Sequence, residues 1–181
     1  MPLLARRIDN DGPWADAEDQ WANGDFPFEI LYELRDARAG NSGMSFYECR
    51  NRNDVKLKRL AAAFYMQGNQ SADPKKLSFR FVHTSELDKF EIVYKKTMGD
   101  VGDKDLNKLH YDITDIDGPK SLLLAKLLLK REPTVIKQND ITYNIAKGLR
   151  LGWHPPAVAK DKCLGMLNKK LAIAFDERNI I

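Results

Sequence analysis

Cysteine is almost missing from this chain: Cys49 and Cys163 are the only two in 181 residues and stand more than a hundred positions apart. The count allows one disulfide at most, and such sparse usage reads as a reducing, cytosolic setting. Long apolar runs are lacking too. The most apolar stretch, Leu122 to Leu129, is interrupted by Lys126 and is far shorter than the roughly 20 residues a membrane-spanning helix needs, so no membrane role is expected. The opening Met1-Pro2-Leu3-Leu4-Ala5-Arg6-Arg7 sets its basic pair after a very short apolar run, the reverse of a secretory leader's order. Histidine is scarce as well, and His83, His110 and His154 form no H-x-x-x-H with one another and no pair with a cysteine at zinc-ligand spacing. There is no G-x-S-x-G elbow, and the loop Gly40-Asn41-Ser42-Gly43 precedes a strand and carries no Walker lysine. Nucleophilic catalysis and phosphate cradling therefore have no motif here, and no cofactor is expected.

What is present is an ordinary globular composition, 43% apolar and 30% charged, in a chain long enough to bury about 70% of the surface its unfolded form exposes. One folded domain over 1–181 is expected. The charge is unevenly laid. Residues 119–181 hold 12 Lys and Arg against 5 Asp and Glu, a net of +7, while the first 118 residues hold 17 against 21, a net of −4. Such a polarity favours docking on a polyanion or an acidic protein surface without specifying any chemistry.

Along the chain, residues 1–24 read as an arm followed by a short helix that Pro13 opens and Gly24 ends, with Trp14, Ala17 and Trp21 recurring on one face. Asp25 reads as the cap of a helix through Phe28, Leu31 and Leu34, although Phe28, Ile30, Tyr32 and Leu34 also alternate as a strand would. Met44 to Cys49 has strand character, and Asn53 or Asp54 caps a clearer helix with Leu57, Leu60, Ala61 and Phe64 on one face, closed by Gly68-Asn69-Gln70-Ser71. Leu77 to Phe81 alternates as a half-buried strand for Phe90 to Tyr94 to pair with, and Leu109, Tyr111 and Ile113 suggest one more. Past Asp117-Gly118-Pro119 the character turns helical: a leucine-rich central helix stopped by Pro133, a shorter one from Asp140 to Leu149, and a final one from Ala157 to Phe175. The expected fold is α+β, a small antiparallel or mixed sheet with one or two helices over 25–118, with a basic helical third over 119–181 packed on it.

Three sets of residues carry candidate chemistry. Arg50, Arg52, Lys56, Lys58 and Arg59 run from a strand end into a helix start, and Lys162 and Lys169 lie seven apart off the apolar stripe of the last helix, so together they offer cations to the phosphates of a nucleic acid. Trp14 and Trp21 are candidate anchors for a protein partner. His110 and Asp112 alternate onto one strand face and are the candidate start of a divalent-metal site. The acidic run Asp100, Asp103, Asp105, Asp112, Asp115 and Asp117 does not make a calcium loop. With Gly118 at the sixth position, Ile113 falls where the first ligand belongs and Leu124 where the bidentate glutamate belongs. The reading that results is a non-enzymatic binding or accessory subunit acting through a protein partner, itself or another, and through nucleic acid. The alternative is a divalent-metal-dependent hydrolase of nucleic acid or nucleotides.

Overall fold

The computed structural model describes residues 1–8, 13–14, 16–34, 44–67 and 76–153. The fold is α+β, with a six-stranded sheet larger than the sequence suggests. The chain runs β1 (Leu3–Ile8), α1 (Ala17–Ala22), α2 (Ile30–Glu33), β2 (Met44–Cys49), α3 (Lys56–Gln67), β3 (Leu77–His83), α4 (Thr84–Lys89), β4 (Tyr94–Lys96), α5 (Lys104–Asn107), β5 (His110–Ile113), α6 (Gly118–Leu129), β6 (Thr134–Ile136) and α7 (Gln138–Arg150). Strand order is β4-β5-β2-β1-β3-β6, and the ladders β1–β2, β1–β3, β2–β5 and β4–β5 are antiparallel. None of the described helices is long and apolar enough to cross a membrane. The chain divides into two compact units. The first holds 1–52, 78–98 and 109–134, and the second holds 53–77, 99–108 and 135–181.

In the first unit the expected N-terminal arm proves instead to be the strand in the middle of the sheet. Leu3 pairs with Cys49 on one side and with His83 on the other, and Leu3, Leu4, Ala5 and Ile8 are buried. Arg6-Arg7 disguises the strand in the sequence. The Arg6 side chain points to the helix-covered face, where Glu33 accepts from its Nη2 at 3.1 Å. The partner strand also differs from expectation. Phe90 to Tyr94 does not return to β3, because His83 and Glu86 close a capping box that starts α4 directly after that strand. The chain pairs later, as β4, with β5, where Lys95 and Lys96 are exposed on a short strand, a common way to blunt a sheet edge. Asp25 is not a cap either, since α2 begins only at Ile30.

Strand β3 is buried on both faces rather than one. Phe79 and Phe81 lie on one face, and Ser78, Arg80 and Val82 on the other. Register places Arg80 opposite Arg6, a like-charge pair that is destabilising unless each guanidinium finds its own carboxylate. Arg6 takes Glu33 and Arg80 takes Glu18 at 2.8 Å. Arg80 is only 1% exposed, and its Nη1 donates to the carbonyls of Leu128 at 3.3 Å and Arg131 at 3.2 Å, groups that the end of α6 leaves without helical partners. Burial pulls its pKa down and the Glu18 carboxylate opposes that pull, so the guanidinium stays charged. Helix α6 is the central packing element its leucines suggest. Asp117 caps it, accepting from the Lys120 N–H at 2.8 Å, and Leu124, Ala125, Leu127, Leu128 and Leu129 are buried with Leu4, Phe46, Ile30 and Leu34 in one core.

Glu86 ties α4 to the end of α6. It accepts from the His83 N–H at 3.0 Å, from Arg131 Nη2 at 3.0 Å and from Lys130 Nζ at 3.2 Å. Burial alone would raise its pKa, but the Arg131 hydrogen bond, the His83 N–H, the Lys130 bond and the Arg131 charge outweigh it and hold the carboxyl at about 2, below its ordinary 4.5. Because the folded state lowers this pKa, the contribution is complete above about pH 4.5 and is lost as pH falls toward 2. At about 1.4 kcal/mol per pKa unit this corresponds to about 3 kcal/mol, less what solvent screening takes from a carboxylate that stays partly exposed. Glu86→Gln is expected to flatten the fall of unfolding free energy between pH 5 and 2.5, measured as urea midpoints. An unchanged acid limb would show that this carboxylate does not set it.

In the second unit α3 packs on α7. Leu57, Leu60, Ala61, Ala62, Ala63 and Met66 are buried on α3, and Ile141, Ile145, Ala146 and Leu149 on α7, the small alanines allowing close approach. Lys58 Nζ meets Asp140 Oδ1 at 3.0 Å. Asp103 caps α5 through the N–H of Asp105 at 3.0 Å and also takes the Arg59 guanidinium. Helix α7 ends in a Schellman motif: the Gly152 N–H donates to Leu149 and the Trp153 N–H to Gly148. This lays the Trp153 indole on Gly148, where a Cβ would come within 2.1 Å of the ring.

Candidate functional site

Residues 13–34 contain six carboxylates and no Lys or Arg. Their local structure follows from a few backbone facts. The helix α1 starts only at Ala17, after Asp16, so Trp14 precedes it and does not share a helix face with Trp21. Gly24, at φ +86°, closes α1 with a second Schellman motif, the Gly24 N–H donating to Trp21 and the Asp25 N–H to Gln20. The following turn then sends Ile30 and Leu34 into the core, which leaves Phe28 and Tyr32 outward.

The two tryptophans part company. Trp14 is 3% exposed, its Nε1 donates to Glu33 and its ring lies under the Arg80 guanidinium at 5.3 Å, so it belongs to the core. Trp21 is 39% exposed. It stands edge-to-face with Phe26 at 6.3 Å, and Phe26 stands the same way to Phe28 at 5.0 Å. With Phe28 66% and Tyr32 71% exposed, this segment presents a run of aromatic surface, whereas the sequence points to Trp14 and Trp21 as the anchors. Glu33 pairs inward with Arg6, Glu18 pairs with Arg80 while about half of its side chain stays exposed, and Asp16, Asp19, Asp25 and Glu29 are exposed.

The basic stretch is less open than its sequence implies. Within the first unit, Arg50 is exposed at the end of β2, and Arg52 pairs loosely with Glu132 at 3.8 Å. Within the second, Lys56 is half-buried, Lys58 pairs with Asp140, and Arg59 pairs with Asp103 while its guanidinium lies 5.7 Å over the Trp153 ring. Arg59, Asn144, Lys147, Gly148, Leu151 and Trp153 line a cavity of about 180 Å³ in that unit. Lys162, Lys169, Cys163, His154 and the expected helix over 157–175 lie outside the described residues, as do the loops at 40–43 and 68–71.

No family model matches this chain, and no curated protein or solved structure matches it significantly.

His110 and Asp112 do come together, through a residue the sequence did not single out. Thr97 Oγ1 donates to Asp112 Oδ2 at 2.8 Å and lies 2.6 Å from His110 Nδ1. With its single hydrogen committed to the carboxylate, the hydroxyl can only accept from the ring, which assigns the proton to Nδ1. The ring is buried edge-on against Tyr47, and its Nε2 is 3.7 Å from Asp112 Oδ1. Thr97 thus links the buried His110 ring to Asp112 within the β4–β5 edge. Among the described residues no three His, Cys, Asp or Glu side chains are grouped as metal ligands. The acidic run is otherwise used locally: Asp100 accepts from Gln67, Asp103 caps α5 and Asp117 caps α6.

Proposed function

We propose that this protein is a non-enzymatic binding or accessory subunit that works through a protein partner. The observation that carries the reading is the exposed aromatic surface of Trp21, Phe28 and Tyr32, with the half-buried Phe26 ring standing between Trp21 and Phe28. Leaving such rings in water forgoes about 25 cal/mol for each Å² of apolar area that a partner would cover, and aromatic side chains are the usual anchors of protein interfaces. The uneven charge of the sequence supports the same reading. Nucleic acid is a second partner within it, through Arg50, Arg52 and Lys56 and through Lys162 and Lys169 on a helical C-terminal end. The reading takes the chain as one folded domain working in the cytosol.

Affinity capture from native extract, run with the wild type and with Phe28→Ser/Tyr32→Ser, tests it. Both rings are exposed, so the double variant is expected to keep its melting temperature within about 0.5 kcal/mol of stability while losing proteins the wild type retains. Identical captures would sink the aromatic face. In parallel, a divalent cation that raises the melting temperature of the wild type and not of His110→Ala would instead favour the hydrolase alternative.

A further inference from the structure

We propose that the occupant of the aromatic face is a basic amphipathic segment of another protein, one whose apolar side chains cover Phe28 and Tyr32 while its Lys and Arg meet the exposed carboxylates of the same segment. The inference rests on the binding-subunit reading and names the chemistry of its partner. Its basis is charge complementarity. From residue 13 to residue 34 the chain carries no cation at all, and Asp16, Asp19, Asp25 and Glu29 are exposed on the same short segment as the aromatics. Neither feature alone selects a partner. Exposed rings accept any apolar surface, and surface carboxylates are ordinary on a folded protein.

Together they discriminate. A phosphate-bearing surface, whether nucleic acid or an anionic bilayer, would be repelled by the carboxylates. An acidic peptide would be repelled too. An uncharged apolar segment would be accepted by the rings but would leave the carboxylates partly desolvated and unpaired, which costs affinity. Lys and Arg suit both halves of the face, because their aliphatic stems lie along apolar surface and their charged heads pair with carboxylates or sit over aromatic rings. The crossed planes of Trp21, Phe26 and Phe28, at 80° and 73° to each other in sequence, present ring faces and ring edges in one patch. Glu18 and Glu33, bonded to Arg80, Arg6 and Trp14, hold the segment in place.

The test uses the full chain and three labelled peptides of equal length, followed by fluorescence anisotropy at low and moderate salt. One is an amphipathic leucine–lysine peptide, one the matching leucine–glutamate peptide, and one a serine–lysine peptide of the same charge. The expected result is saturable binding of the leucine–lysine peptide, at least tenfold weaker binding of the serine–lysine peptide and none of the leucine–glutamate peptide. Phe28→Ser/Tyr32→Ser and Asp25→Lys/Glu29→Lys should each weaken the first interaction at least tenfold at an unchanged melting temperature. Equal binding of the acidic peptide through the same two rings would overturn the basic-partner inference while leaving the binding-subunit reading intact. Failure of all three peptides, or binding indifferent to both variants, would overturn it as well, and the extract capture then judges the broader reading separately. Concentration-dependent self-association of the wild type, abolished by the same variants, would assign the face to a second copy of this chain and overturn it too.

Discussion

Arg80→Ala is expected to cost about 3–5 kcal/mol of unfolding free energy, enough to leave a typical domain with little margin. The side chain is fully enclosed in the first unit, and its guanidinium holds Glu18 on α1 and the carbonyls of Leu128 and Arg131 at the end of α6. Truncation removes three hydrogen bonds, leaves two carbonyls without their donor and opens a hole beside Trp14. Arg80→Met fills much of the hole without restoring the donors, so its loss should be smaller than that of alanine. Glu18→Ala, by contrast, leaves the buried cation with carbonyls alone. Chemical denaturation of the three variants separates these contributions. An Arg80→Ala loss below about 1 kcal/mol would mean that the pairing seen here is replaced by something equivalent.

The second large effect belongs to Trp153 and its glycine seat. Trp153→Ala should cost about 3 kcal/mol, since it empties the buried indole site between Gly148 and Arg59. Gly148→Ala should also destabilise, by about 1–3 kcal/mol, because the new methyl and the ring cannot occupy the same space. The informative measurement is the double variant. With the indole gone, the three atoms closest to the new methyl are gone with it and the alanine gains its intrinsic helix preference over glycine, up to about 1 kcal/mol, so the sign of the Gly148→Ala effect should reverse. Additive losses would show that the glycine serves something other than the ring. A red-shifted tryptophan emission in Gly148→Ala would report the displaced indole directly.

Much of the fold is legible in the sequence where one periodicity dominates. The strands at 44–49 and 110–113 and the helices at 56–67, 118–129 and 138–150 all fall where their apolar spacing and caps place them. Two departures, at β1 and at β3, share a cause: polar residues buried with partners distant in sequence. Arg6-Arg7 breaks the apolar pattern of β1, and Arg80 makes β3 look half-buried, because the carboxylates that neutralise these guanidiniums lie 27 and 62 positions away. The return of 90–94 to the wrong strand follows from overlooking the His83 to Glu86 capping box. At the candidate site the ambiguity is different. Phe28, Ile30, Tyr32 and Leu34 are all hydrophobic, and only the tertiary structure says which two are inside. The signal that was available is the complete absence of cations from 13 to 34, which marks the segment before any coordinate does.

The place of β1 bears on how the chain is made. Of the described strands the earliest in the sequence lies inside the sheet, yet its neighbours are residues 44–49 and 77–83. At ordinary synthesis rates of about 5–20 residues per second, several seconds pass between the appearance of Leu3–Ile8 and that of the second strand able to cover it. Until then at least one edge of β1 offers unpaired amides and carbonyls beside Leu3, Leu4 and Ile8, the combination on which strands of nascent chains mispair. Arg6 and Arg7 sit in the midst of that strand, and until Glu33 is in place to receive Arg6 their charge and hydration oppose association of the strand with another unfolded chain.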